Sequence, residues 1–486
     1  MADMRKVFWG GTGSLIFFAI IALGLVGVFL WFGWGRVDQA QPWVKLQPAW
    51  SVVGGKTAFT LEAGDRDSGL KSARVTITQG NLEKVLVNRQ FPPGGIAGEK
   101  VALPFTLEPK ALGLKEGKAR LTASVRDRSW REWFQGRSAG ISREIIIDLV
   151  PLHLTFLSVN HLLHAGGTAV IRYHLTKTVQ KSGVVIEGRF FAGFPQPGGP
   201  RGDYVAFVAL PLELPRVVTA ELMAKPGAGP PVQQKIALKV IPKHWRRDKM
   251  KLSANFLNNV AADFQVPQAT DPLSAYLEVN REMRQANHAR LKQLCSQSKP
   301  QPLWHGGFRR FLGKSMARFG DHRTYIYQGR EVDKQVHLGE DLASLVHSPV
   351  PAANDGVVVL AGPLGIYGNS VVIDHGLGVF SLYGHLSEID VKAGQEVKKG
   401  QTLGKTGTTG LAAGDHLHFS MLIQGEFVSP VEWWDPRWVK VQVEGQWKQP
   451  GAPAVKAAAA PAKAGQAKKA RKTKTRHIKK RRPPRE

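Results

Sequence analysis

Cys295 is the only cysteine in a chain of 486 residues. One thiol cannot close an intrachain disulfide, so a disulfide-stapled scaffold and a multi-thiolate zinc site are both excluded. Acidic residues are also scarce, with 38 Asp and Glu against 66 Lys and Arg and a net charge of +28. That balance favours anionic partners such as nucleic acid, acidic lipid or envelope polymer, and does not choose among them. A His-Glu-x-x-His motif is absent, which removes one helix-borne route to a catalytic zinc site. What is present is ample apolar material, 43% of residues, in a chain long enough for two to four domains of roughly 100–200 residues each.

Charge is missing altogether from Val7 to Gly35, and Leu15–Phe32 is almost wholly apolar. A bilayer crossing needs about 20 such residues, so residues 7–35 are expected to form a single N-terminal transmembrane helix. Trp9 lies at one end and Trp31 and Trp34 at the other, where indoles favour the water–lipid boundary. The apolar core exceeds the roughly 7–15 residues of a signal-peptide core and no Ala-x-Ala site follows, so an uncleaved anchor is the expectation. Arg5 and Lys6 precede the span, while Asp38 partly offsets Arg36 after it. The bias places residues 1–6 in the cytoplasm and the bulk of the chain outside, on the periplasmic or cell-wall side.

The next stretch reads as mainly β. Ser72–Thr78 and Arg120–Arg126 alternate apolar and polar residues, the period of half-buried strands. Ile145–Ile147, Leu152–Leu157, Val170–Leu175 and Tyr204–Leu210 add short apolar runs, with Gly- and Pro-rich turns between. Two Ig-like β-sandwich spacers are expected, over residues 36–150 and 151–248. His153, His161, His164 and His174 fall in the second, but strand alternation scatters them over both faces, and ordinary histidines are the expectation. From 249 to 300 the period becomes helical. Asp271-Pro272 supplies an N-cap and a first-turn proline. Leu273, Tyr276, Leu277, Met283, Leu291 and Leu294 then form a stripe that Asn280 and Asn287 interrupt. This linker helix either packs the spacer against the next domain or shields a groove. Residues 451–486 carry thirteen Lys and Arg among Ala and Pro, without aliphatic periodicity. They read as a disordered basic tail. Behind an export anchor, its partners would be anionic lipid or envelope polymer and not nucleic acid.

The chemistry concentrates between residues 312 and 436. There lie His337-Leu338-Gly339-Glu340-Asp341, Tyr383-Gly384-His385-Leu386 and Asp415-His416-Leu417-His418-Phe419. In a strand, residues i and i+2 face one side, so His416 and His418 enter one site. His337 and Asp341 are four apart around Gly339, which lets a turn aim both at one point. A carboxylate with imidazoles suits zinc, and three protein ligands leave a fourth position open, as in catalytic sites.

These residues, in this order, closely resemble the lysostaphin/LytM-type zinc metallopeptidases. The resemblance runs from about Ala317 to Trp434 and includes Ser348–Ala353, Asp355–Val358, Tyr367–Gly376 and Gly404–Gly410. It implies a C-terminal antiparallel-β peptidase domain over residues 312–436, with Zn2+ held by His337, Asp341 and His418. It implies that His385 and His416 flank the reacting water as catalytic histidines, and that the substrate is a peptide bond of peptidoglycan. Two departures stand out. Ala412-Ala413-Gly414-Asp415 replaces a Ser-Thr-Gly-Pro-like phrase, and Ser420 stands where many relatives carry glutamate. His375, in a family phrase, reads as structural, while His322 and His347 receive no role. Some relatives have degenerate domains that bind and activate other wall hydrolases without catalysis. Those have lost ligands, and this chain retains all five residues.

Overall fold

A computed structural model of the chain describes residues 18–28, 40–92, 100–227 and 231–448. Of the expected transmembrane segment, residues 18–28 are helical, and the remainder of 7–35 lies outside the described residues, as do residues 1–6 and the basic segment 451–486. Among the described residues, no helix is long and apolar enough to cross a membrane.

The fold is mainly β. Residues 43–147 form two sheets. Trp43–Gln47, Thr57–Gly64 and Val101–Leu107 pair antiparallel in one. Val52–Val53, Ser138–Ile147, Gly117–Asp127, Leu70–Gln79 and Leu82–Gln90 build the other. The alternation of Leu70–Gln79 and Gly117–Asp127 sends Val75, Ile77, Leu121 and Ala123 inward against Phe59 and Leu61, closing one core. The two sheets thus form two layers over this core.

The second region departs from expectation. Its strands run in a single hydrogen-bonded order of eight, from Leu163–His164 through Val232–Ile241, Val217–Lys225, Lys181–Ile186, Arg189–Pro195, Asp203–Ala209 and Thr168–Leu175 to Leu154–Val159. The sheet curls until the Phe156 amide donates to Gln234 Oε1 at 3.2 Å. Curling lets one sheet close over its own apolar face, so no second layer is needed. Nor does its core stop at the module boundary. Phe207 packs against Trp304, Trp433 and Trp447, with ring centroids 5.9–6.3 Å apart. Glu432 Oε2 accepts the Thr168 amide at 3.0 Å across the same seam.

The C-terminal domain is built on a second long sheet. Its strands are β1 (Lys314–Ala317), β2 (Glu340–Ala343), β3 (Gly356–Pro363), β4 (Asn369–Asp374), β5 (Val379–Leu386), β6 (Glu396–Val397), β7 (Leu417–Ile423) and β8 (Glu426–Val428). Their order is β1-β2-β7-β5-β4-β3-β6, with β8 paired to β7. Strands β5 and β7 are buried on both faces. Leu417, Phe419 and Met421 join the aromatic seam, and Leu422 joins a separate core beneath the linker helices.

Those helices are α1 (Ala254–Phe264), α2 (Pro272–Glu278) and α3 (Arg284–Leu294), with a π-helical turn, Val279–Met283, joining α2 to α3. Asp271 caps α2 in a capping box with Ser274, as the Asp-Pro pair indicated. Asn280 and Asn287, which interrupted the apolar stripe, are buried on it as polar anchors. Asn280 Nδ2 donates to Asp333 Oδ2 at 2.7 Å, and Asn287 Oδ1 accepts the Ile366 amide at 2.8 Å. The helices therefore pack on the sheet through β4, β5 and the loop before Tyr367.

The seam between the curled sheet and the C-terminal domain carries a pH signature. Burial raises the Glu432 pKa from 4.5 to about 7. The folded protein thus retains a proton that the unfolded chain releases, so stability present below pH 4.5 is lost as pH rises through about 7. Glu432→Gln keeps the neutral shape, and thermal melts should show wild-type Tm falling relative to the variant across that window. Parallel Tm curves would mean that Glu432 ionises in the fold as freely as in the open chain.

Candidate metal centre

All five residues singled out in the sequence converge on one cavity of about 410 Å3. Asp341 on β2 lies opposite His418 on β7 in the strand register, and Gly384 on β5 lies opposite His418 from the other side. His337 precedes β2, its backbone fixed by the Gly320 amide at 2.8 Å and the Asp321 carbonyl at 2.9 Å. His416 sits one residue before β7 in an isolated bridge to Gly407, so its ring shares the face of His418. His385 is near the end of β5 with φ of 63°, a left-handed conformation that turns its ring out of the sheet.

Hydrogen bonds to backbone carbonyls, and for His418 to the Ser420 hydroxyl, set which ring nitrogen of each histidine carries the proton. His337 Nδ1–H donates to Arg318 O at 3.0 Å, leaving a lone pair on Nε2. The Ser420 hydroxyl donates to Leu338 O at 2.8 Å and so accepts from His418 Nε2–H at 2.9 Å, leaving a lone pair on His418 Nδ1. Those two lone pairs point at each other across 3.2 Å, and at Asp341 Oδ1 across 3.0 and 2.8 Å. Three acceptors meeting without a proton between them repel unless a cation or added protons intervene. Burial, opposed in part by Asp341, pushes the His418 pKa down to about 4, so that ring brings no extra proton at neutral pH. Burial also opposes charge on Asp341, but any proton that the imidazoles, His337 first, place against Oδ1 outweighs it and holds the carboxyl well below its usual range. One ligand atom from each of His337, Asp341 and His418 lies within 4.8 Å of the others. Two imidazole nitrogens and a carboxylate oxygen at that spacing fit a divalent cation, and the donor chemistry suits zinc.

His385 and His416 are oriented the same way. His385 Nδ1–H donates to Thr409 O at 2.8 Å, and His416 Nδ1–H to Gly414 O at 2.7 Å. Their rings are 4.8 Å apart, and His385 is 5.8 Å from the His418 ring. Their acidities diverge. Burial, with His416 and His418 adding to it, pushes His385 down to about 3. For His416, burial is outweighed by Asp341, whose Oδ1 is 3.5 Å from Nε2, and the pKa rises.

The two departures noted in the sequence have structural uses. Asp415 accepts from the Thr406 hydroxyl at 2.6 Å and the His347 amide at 3.3 Å, which pins the loop that presents His416. Ser420 is the acceptor that fixes His418. Gly339 matters for a reason the spacing did not reveal. A Cβ there would lie 2.5 Å from His418 Nε2 and 2.7 Å from Ser420 Oγ. The residue is glycine because the chain passes against His418, not because the turn demands a left-handed backbone. Sequence reading also missed Arg323, whose Nη2 donates to Asp341 Oδ2 at 3.2 Å, and Tyr367, whose ring lies 5.3 Å from that of His418.

The other histidines stand apart. His375 is fully buried between the Asp355 carbonyl and the Ser381 hydroxyl, both at 2.7 Å. His322 is 3.8 Å from Glu213, and His347 is exposed. A larger cavity of about 950 Å3 between the two β regions includes His174, which pairs with Asp203 at 2.7 Å. Neither His174 nor His153, His161 or His164 joins a metal-binding group among the described residues.

Residues 335–430 match Peptidase family M23. Peptidoglycan DD-endopeptidase ShyA of Vibrio cholerae is 42% identical over 96 residues, 20% of this chain and 22% of that protein. DD-carboxypeptidase/endopeptidase Mpg of Neisseria meningitidis is 42% identical over 97 residues, again 20% and 22% of the two chains. The chain therefore spans about a fifth of the length of these relatives. Among solved structures, the catalytic domain of the antimicrobial peptidase lysostaphin from Staphylococcus simulans is 29% identical. That match covers 24% of this chain and 90% of the other, with a TM-score of 0.21.

The hydroxyl of Ser420 provides a direct test of the ligand geometry. Ser420→Ala leaves His418 Nε2–H without its acceptor and should weaken zinc affinity about 10–100-fold at unchanged fold. Gly339→Ala should weaken it at least as much, because its methyl displaces the ligand. Competition titration against a chromophoric chelator reads both, and unaltered affinity in either variant would contradict the geometry.

Proposed function

The chain carries a Peptidase family M23 domain at its C-terminus, and from that premise we propose that it is a membrane-anchored zinc metalloendopeptidase acting on peptidoglycan outside the cytoplasm. The observation that carries the reading is the convergence of three acceptor atoms, His337 Nε2, Asp341 Oδ1 and His418 Nδ1, beside a pair of histidines held ready for proton transfer. Bound there, a zinc ion would polarise a scissile carbonyl and lower the pKa of a water to near 7.

The remaining work falls to side chains. Burial keeps His385 neutral, and with Nδ1–H tied to Thr409 its Nε2 lone pair is left to accept a hydrogen bond in the cavity. His416, whose proton Asp341 favours, is suited to deliver one to the leaving amine. Two titratable groups pushed apart in pKa divide acid from base. Arg323 holds the outer oxygen of Asp341 and leaves Oδ1 for the cation. The peptidoglycan part of the reading draws on the activity named for ShyA and Mpg.

Anchoring draws on a different feature. The helix over residues 18–28 lies within the charge-free stretch 7–35 and leaves Phe18, Leu23 and Leu25 each at least 65% exposed. Apolar side chains so displayed match a lipid environment. The basic residues of 451–486 would then meet anionic lipid or envelope polymer on the outer side.

Purified protein incubated with isolated peptidoglycan should release fragments whose masses report cleavage of stem-peptide bonds. Chelation should abolish release and zinc restore it. His416→Ala and His385→Ala should each lower kcat by about 10²–10⁴-fold while zinc remains bound. Folded wild-type protein that neither takes up zinc nor cleaves would overturn the proposal and favour a non-catalytic activator of other wall hydrolases.

A further inference from the structure

The cavity at the metal centre is not formed by the sheet domain alone. Phe256 of α1, Tyr276 of α2 and Arg284 of α3 line it together with the five site residues. The linker helices are thus one wall of the site, beyond the packing or shielding roles considered from sequence.

Two guanidinium groups face this cavity, Arg323 and Arg284. Asp341 engages Arg323 at 3.2 Å. Arg284 has no carboxylate partner among the described residues. It is held by its own helix instead, with Nε donating to Asn280 O at 3.1 Å and Nη2 to Asn280 Oδ1 at 2.6 Å. Asn280 is fully buried and anchored in turn by Asp333, which also receives Arg281 Nε at 2.9 Å. This clamp coincides with the π-helical turn Val279–Met283, immediately before Arg284. Such widened turns are uncommon and concentrate at functional sites. Tyr367 connects the helix to the metal centre, because its hydroxyl is 3.1 Å from His288 Nε2 on α3 and its ring packs on His418.

A cation built on a buried support, aimed at a catalytic cavity and lacking a counter-charge, is arranged for an anionic ligand. We propose that Arg284 is a specificity residue that receives a free carboxylate of the substrate peptide, close to the scissile bond. The guanidinium fork matches a carboxylate in shape and charge, which a carboxamide cannot reproduce. Substrate choice would then be encoded on the linker helix and not on the sheet that performs the chemistry. The inference rests on the peptidase reading above.

The test uses full-length, zinc-loaded protein and two cross-linked muropeptide dimers. One carries its native free carboxylates, and in the other those flanking the scissile bond are amidated. Wild type should prefer the free acid by at least about tenfold in kcat/KM, the scale of a charge-assisted hydrogen bond. In Arg284→Gln this ratio should collapse towards one through a higher KM for the free acid, and Arg284→Lys should restore part of it. A wild type that cleaves both dimers equally well overturns the inference and leaves the peptidase reading standing. Equal losses on both dimers in Arg284→Gln assign the residue to helix structure and also overturn it. A wild type that cleaves neither dimer removes the peptidase reading, and this inference with it.

Discussion

Asp341 lies between two imidazole lone pairs, with a third imidazole at 3.5 Å and a guanidinium on its far oxygen. Placing that many acceptors around one carboxylate inside a protein is unfavourable by itself. The fold tolerates it because every other valence is fixed. Arg318 O, Ser420 Oγ, Thr409 O and Gly414 O each take one ring N–H, so none of the four site histidines can turn to relieve the clash. The consequence is a pocket whose unmet requirement is a positive charge. Strand register supplies the accuracy, since Asp341 and His418 are direct partners across β2 and β7.

The supports extend outward in layers. Strands β5 and β7 are buried on both faces, which fixes the backbone that presents His385 and His418. One face rests on the aromatic seam with the curled eight-stranded sheet, the other on the linker helices. That second face also closes the cavity, so residues distant in sequence from His337, Asp341 and His418 have access to whatever binds there. On the proposed reading, chemistry would belong to the sheet domain and selection to its neighbours.

How much of this was legible beforehand varied by element. His-x-His at strand spacing and His-x₃-Asp with an intervening glycine pointed to one cluster, because both are local geometric statements, but which of its residues would be ligands came from the family resemblance alone. Strand-bearing regions were legible from alternation, but the closure of 154–241 into one curled sheet was not, since pairing order between distant strands leaves no mark on local periodicity. Asn280 and Asn287 looked like defects in an amphipathic helix. Their roles depend on Asp333 and Ile366, which lie about fifty and eighty positions downstream and which no window on the helix contains. The steric demand at Gly339 was hidden for the same reason, because the atoms it avoids belong to His418 and Ser420. Arg284 carried no signal at all, being an ordinary helix-favouring cation until the π-turn and the cavity are seen together.

The central claim is that three particular atoms bind the metal and two further histidines do not. Crystals of the zinc-loaded protein, measured on both sides of the zinc absorption edge, address it directly. The account predicts one anomalous peak, about 2.0–2.2 Å from His337 Nε2, Asp341 Oδ1 and His418 Nδ1, with His385 and His416 outside bonding distance. A peak ligated by His385 or His416, or by the opposite ring nitrogen of His337 or His418, would contradict it.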